Sequence, residues 1–185
     1  FAPIVRGDMN RTEFLQHFFD QSFYFKDRFQ KIEPLFEPQS HIGVSQYCKD
    51  YTGDQYVMIG NVFEFIDPVF SSGVALATAS AMKATDTLIE AFQKNTTPDW
   101  KEYRQYIEKG ANTFKAYVDA WYHGHWQDIL FAHKQVPQFK EMICSVLAGY
   151  AWDDTNPFVT KPEKSINALA KVIQGRKKMK SEKKV

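Results

Sequence analysis

Residues 59–73 read IGNVFEFIDPVFSSG, and residues 74–81 continue without a break as VALATASA. A strand-like run closes on Gly60, an Asp-Pro turn follows at Asp67 and Pro68, and Ser71, Ser72 and Gly73 open a long helix. That layout gathers free backbone N–H groups and the positive end of a helix dipole at one point. Such a point suits an anion or an electron-rich ring.

Pro68 fixes its own φ and holds Asp67 extended, so Asp67 reads as a turn residue whose carboxylate orients nearby N–H groups. Ser71 or Ser72 is expected to cap the helix, and Gly73 leaves its first turn bare. On these residues alone, an ordinary capped helix start is the simpler reading.

Helical patterning dominates downstream. Val74, Ala77, Ala81, Leu88 and Phe92 recur at helical spacing and define the face expected to be apolar. Ala75, Ala77, Ala79 and Ala81 keep the first half of that helix slim, so that a backbone or a flat ring can come close. Asn95 to Pro98 ends it, with Thr97 expected as the next cap and Pro98 in the next first turn. Tyr103, Ile107, Phe114, Val118 and Trp121 predict a second long helix to about Tyr122, running through Gly110. Further helices are expected over 125–134, 137–150 and 162–174, with a loop at Asn156 and Pro157. Upstream, the apolar residues between Arg11 and Phe29 predict one or two short helices. Residues 41–47 and 55–59 read as the strands of a hairpin leading to the Gly60 corner. The expected fold class is α+β and mainly helical: a short β-hairpin, a long helix and a C-terminal helical region.

Taken as a whole, the opening string resembles the second flavin-contacting motif of FAD-dependent monooxygenases, and more closely that of the flavin-dependent halogenases of the tryptophan halogenase superfamily. Sequences there read approximately Gly-Asp-Ala-x-x-Phe-x-Asp-Pro-x-x-Ser-Ser-Gly-Val/Ile-x-x-Ala. Gly60, Phe65, Asp67, Pro68, Ser71, Ser72, Gly73, Val74 and Ala77 match as they stand. The runs WYHGHW (121–126) and SVLAGYAWDDTNPF (145–158) look like the C-terminal helical part of that family.

The resemblance implies FAD as cofactor, with Gly60 and Asn61 near its ribityl chain and pyrophosphate. It sets Asp67, Pro68, Ser71, Ser72, Gly73 and Val74 beside the pyrimidine end of the flavin ring, where a helix N-terminus stabilises the negative charge of the reduced form. In halogenases the N–H groups matching Ser72 and Gly73 also hold a halide. Two departures narrow the branch. Asn61 stands where the family has Asp, keeping an acceptor oxygen and losing the charge. Phe70 stands where halogenases of free tryptophan carry a catalytic Glu, which turns the reading towards phenolic or pyrrolic substrates; no catalytic residue is assigned.

No GxGxxG follows a strand, so the chain is expected to be the C-terminal part of an α/β FAD-binding fold that lacks its Rossmann βαβ unit. On this reading, residues 1–60 end the sheet region, 61–95 form the flavin-contacting turn and long helix, 96–174 form the C-terminal helical region and 175–185 form a basic disordered tail. The implied activity is that of a halogenase-like oxidoreductase using reduced FAD and oxygen. Its implied partners are a small-molecule or carrier-bound substrate, chloride and a separate flavin reductase. A non-halogenating monooxygenase or reductase of the same fold, and a stand-alone helical interaction module, are the alternatives.

Composition sets the outer bounds. At 185 residues with 16% aromatic content, the chain suits one well-buried domain, or a domain with an appendage. Its net charge of +1 is uneven, because residues 175–185 carry six basic residues against Glu182. No aromatic residue interleaves that run, so nucleic acid is not expected as a partner. No apolar run has the length of a membrane span, and no membrane partner is expected. Cys48 and Cys144 form no CxxC pair, which fits a reducing, cytoplasmic setting without a metal. His123 and His125 lack a third ligand nearby and read as surface or packing residues. Trp121, Tyr122 and Trp126 read as helix packing before channel lining, and Asp153 with Asp154 as turn chemistry.

Overall fold

A computed structural model describes residues 7–29, 33–41, 43–132 and 136–182. Its chain falls into two units, Phe1–Gly43 and Val44–Val185. In the first, α1 (Arg11–Gln21) starts with a reciprocal capping box in which Asn10 and Glu13 each accept the other's backbone N–H. Phe19 stacks on Phe29 with ring centroids 4.6 Å apart. No residue of α1 is fully buried.

The second unit begins with four two-residue strands. β1 (Gln46–Tyr47) pairs antiparallel with β4 (Glu64–Phe65), and β2 (Thr52–Gly53) with β3 (Tyr56–Val57). The expected hairpin of 41–47 with 55–59 is thus corrected: 55–59 pairs with Thr52 and Gly53, and Gln46 and Tyr47 pair with Glu64 and Phe65. The Thr-Gly-Asp turn signal closes the nearer pair first, because the short loop costs less entropy. Ile42, within the expected first strand, lies outside the described residues.

Helices make up the rest: α2 (Gly73–Lys94), α3 (Lys101–Tyr122), α4 (His125–Leu130), α5 (Pro137–Leu147), α6 (Pro157–Thr160) and α7 (Pro162–Glu182). α3 is the central element, packing on α2, α4, α6 and α7 and burying Tyr103, Ile107, Phe114 and Tyr117 almost completely. Its first turns hold the strands. Tyr103 donates to the Met58 carbonyl (2.6 Å), Arg104 to the Thr52 hydroxyl and carbonyl (2.5 and 3.1 Å), and Tyr51 to Glu108 (2.7 Å). At the far side Asn156 ties α5 to α6, accepting from Phe158 N–H and donating to the Met142 carbonyl.

Several expected boundaries change. α3 starts at Lys101 with no side-chain cap on it from Trp100, so Thr97 and Pro98 precede the helix; Asp99 accepts the Lys101 N–H instead. α4 stops at Leu130, and Lys134, its expected end, lies outside the described residues. α5 ends at Leu147, where Gly149 turns the chain with φ +101°. α7 does not end near Gln174: the basic run extends it to Glu182, correcting the disordered tail up to that residue. Good helix formers occupy the run, basic side chains suit a helix C-terminus, and Lys177 and Gln174 both bond to Asp128 of α4.

The apolar face of α2 also changes. Its buried residues are Leu76, Ser80, Ala84 and Ala91, while Val74 and Phe92 are 76% and 79% exposed. The slim side of the helix meets α3, whose bulky aromatic residues fill the space.

Candidate functional site

The Gly60 corner lies directly on the start of α2. Gly60 adopts φ +66°, open to glycine and costly for other residues. Its N–H donates to the buried Ser80 hydroxyl (2.7 Å), which in turn donates to the Ala77 carbonyl (3.0 Å). A Cβ at Gly60 would stand 3.5 Å from the Ala77 methyl, so a small residue at 77 is what lets the corner seat. Asn61 reaches over the helix start: a Cβ at Gly73 would sit 3.2 Å from both its amide nitrogen and its amide oxygen. Asn61, next to Gly60 in the chain, is thus brought onto Gly73 at the start of α2.

Asp67 is held from three directions. Its N–H donates to the Ser45 hydroxyl (3.0 Å), one carboxylate oxygen accepts the Val69 N–H (3.1 Å), and the other accepts the Tyr122 phenol (2.6 Å). The bond to that carboxylate raises the Tyr122 pKa, since ionising the phenol would break it. Pro68 then begins a single 3-10 turn through Phe70, and Ser71 closes it in the left-handed region at φ +54°.

Ser72 is 4% exposed and its carbonyl accepts the Leu76 N–H, but its side chain makes no capping bond, and neither does that of Ser71. The expected serine cap is corrected. With Ser72 itself in helical geometry, its hydroxyl cannot turn back onto the first-turn donors. Among the described residues, the N–H groups of Ser72, Gly73 and Val74 have no hydrogen-bond acceptor. The positive end of a 22-residue helix is left open beside Val62 and Val74, which are 70% and 76% exposed.

Behind the turn, Phe70 meets Tyr117, Trp121 and Trp126 edge-on with centroids 5.9 to 6.0 Å apart. Trp126 is buried and donates to the Tyr117 carbonyl (2.8 Å), so the packing reading of that run holds for Trp126. Tyr122 does something the sequence did not announce, latching Asp67 from the end of α3; neither spacing nor residue type signals it. Ser80 is likewise not signalled by the sequence, where it shares its alanine-rich run with a second hydroxyl at Thr78.

A cleft of about 540 Å³ opens on the α2 start, walled by Phe70, Ser72, Phe114, Tyr106, Gly149 and Trp152. Trp152 stacks on Tyr106 (5.1 Å between centroids) and donates to its carbonyl (2.7 Å), giving a rigid flat wall. Among the described residues, no Asp, Glu, His, Lys or Arg lines this cleft. His123 and His125 lie elsewhere with ring centroids 6.0 Å apart, and no group of three or more metal-ligating side chains occurs among the described residues. Asp153 caps its own turn by accepting from Thr155, as its sequence context indicated. No helix among the described residues is long and apolar enough to cross a membrane.

No family model matches the chain. It is 34% identical over 104 residues to a 1H-pyrrole-2-carbonyl-[peptidyl-carrier protein] chlorinase of Pseudomonas fluorescens, covering 55% of this chain and 22% of that protein. It is 29% identical over 139 residues to the corresponding brominase of Pseudoalteromonas luteoviolacea, covering 68% and 31%. A flavin-dependent halogenase of Armillaria mellea is 38% identical over 53 residues, covering 29% and 10%. A crystal structure of a flavoprotein/dehydrogenase from Cytophaga hutchinsonii superposes with a TM-score of 0.78 at 37% identity, over 90% of this chain and 41% of that one. The chain thus spans under a third of the length of these curated relatives. Its homologues are flavin-dependent halogenases, and FAD is the cofactor this kinship indicates.

Proposed function

We propose that this chain, a relative of the flavin-dependent halogenases, is the C-terminal portion of an FAD-dependent oxidoreductase of halogenase type. In this reading it supplies the flavin-ring contact and the substrate-side helices. The observation that carries the proposal is the uncapped start of α2, with the Ser72, Gly73 and Val74 N–H groups open beside Asn61. The residues present fit FAD, because uncapped donors and a helix dipole converge beside the Asn61 amide, where the side chain at position 73 is absent, and exposed Val74 offers apolar cover.

Bound FAD, once reduced, supplies the electrons that activate oxygen. Around it, Gly60 and Asn61 hold the ribityl side, and Ser80 and Ala77 keep that corner in place. Asp67, Pro68 and Ser71 hold the turn, fixed by Tyr122, while Val74 covers the ring edge. Ser72 and Gly73 direct N–H groups at negative charge, either that of the ring or that of a chloride ion beside it. The cleft contains no carboxylate or amine, which suits a flat, uncharged ring as substrate. A small heteroaromatic group delivered on a carrier protein, as the names of two relatives state for those proteins, fits such a cleft, and a separate reductase would supply the reduced flavin. Phe70 is an anchor in the aromatic cluster and performs no proton transfer.

A non-halogenating oxidoreductase is the second reading, favoured by the dehydrogenase title of the structural neighbour. Replacing Gly73 with Trp in the full-length protein drives a ring into the Asn61 amide and across the helix start. The expected result is loss of oxygen-dependent flavin turnover in a protein that keeps its helical circular dichroism; unchanged turnover would sink the flavin reading. Product analysis with and without chloride separates the branches, since a halogen-free oxidised product at saturating chloride would rule out the halogenase version.

A further inference from the structure

Away from the flavin-facing surface, α4, α5 and α7 enclose a second cavity of about 200 Å³. Ile129 of α4, Ile143 and Leu147 of α5, and Leu169 and Ile173 of α7 form its walls. Among the described residues, two cations, Lys140 and Arg176, also line it, and no acidic residue does. Neither has an ion-pair partner among the described residues. Asp128 of α4 is engaged by Lys177 and Gln174.

An apolar hollow lined by two uncompensated cations is built for a ligand with one apolar end and one anionic end. Both cations are exposed at the rim of this hollow, so an anionic head can pair with them there while its tail replaces water among the apolar walls. The size decides between candidate occupants: the hollow is below the range of drug-sized pockets, roughly 300 to 1,000 Å³. A single short alkyl chain fills it. We propose that this cavity binds a medium-chain alkyl carboxylate of about six to ten carbons, with the tail among Ile143, Leu169 and Ile173 and the carboxylate on Lys140 and Arg176. Leu147 lines both this cavity and the cleft at the α2 start, so an occupant here touches a wall of that cleft. The site does not depend on the flavin reading.

Calorimetric titration of the full-length protein with hexanoate, octanoate, octanol and octylammonium tests it. Octanoate is expected to bind about tenfold or more tighter than octanol, with no binding of octylammonium, because a charge-assisted pair replaces an ordinary hydrogen bond. Each added methylene from hexanoate to octanoate should tighten binding about fourfold. The double variant Lys140→Glu with Arg176→Glu should lose octanoate binding. So should Val172→Trp, which plugs the cavity from a half-exposed position and leaves both cations in place. Equal affinity for octanoate and octanol, octanoate binding that survives either variant, or no octanoate binding at millimolar concentration overturns the proposal. An acidic protein partner that binds in place of octanoate, and is lost in the same variants, also overturns it.

Discussion

Ser80 and Gly110 show how much a single position carries here. Ser80 is fully buried, and its hydroxyl is the acceptor for the Gly60 N–H. Ser80→Ala leaves that donor buried without a partner, so the expected cost is about 1–3 kcal/mol of unfolding free energy. Urea titration reads the loss, and a variant as stable as the parent would show that the corner does not depend on the serine. Gly110 looked in the sequence like a weak point in a helix. A Cβ there would lie 2.2 Å from the Trp152 indole, which is pinned by its own hydrogen bond to Tyr106. Gly110→Ala is therefore expected to destabilise by about 1–3 kcal/mol through overpacking, against the gain of about 1 kcal/mol that alanine brings to an exposed helix. A raised melting temperature would mean that the indole yields.

Among the elements, α2 is where periodicity and packing part company. Its alanine-rich side and its larger apolar residues both recur at helical spacing, so the pattern alone admits two inward faces. α3 decides between them: with Tyr103, Phe114 and Tyr117 pointing in, only the slim Ser80 and Ala84 side fits closely. Met82, Ile89 and Phe92 are left 69%, 49% and 79% exposed, more apolar surface than a finished helix shows to water. This supports the proposal that another part of a longer protein covers α2. The 185-residue chain expressed alone should accordingly aggregate, and Met82→Lys with Phe92→Glu should raise its soluble fraction severalfold. A parent chain that stays monomeric at high concentration by light scattering would count against a missing cover.

Across the whole molecule, the core is unusually rich in buried phenols, and alkaline pH is where that shows. Burial pushes Tyr103 up to about 12 and raises Tyr51 and Tyr117 as well, Tyr51 also through its bond to Glu108. Below pH about 10 the folded and unfolded chains hold these protons alike, so their contribution is fully present. Between about pH 10 and 12 the unfolded chain ionises while the folded chain does not, and stability falls as pH rises. The slope has a ceiling of about 1.4 kcal/mol per pH unit for each tyrosine. Urea midpoints taken from pH 9 to pH 11 should stay flat and then drop; a midpoint that stays level to pH 11 would show these phenols ionising in the folded state.

The features legible along the chain are local in physical origin. The helix start at Gly73, the Asp67-Pro68 turn, the end of α3 at Tyr122 and the turn role of Asp153 follow from backbone restriction and periodicity, which act within a few residues. The motif at Gly60 to Ala77 was legible for the same reason, because its parts lie close along the chain. Only the tertiary structure decided which face of α2 is buried, that β1 pairs with β4, that Tyr122 holds Asp67 and that Ser72 leaves the helix start uncapped. The first three depend on contacts between parts distant along the chain, and the fourth on the backbone geometry that Ser72 takes in the folded turn. Packing at interior density settles such contests all at once, and no single stretch of sequence contains them.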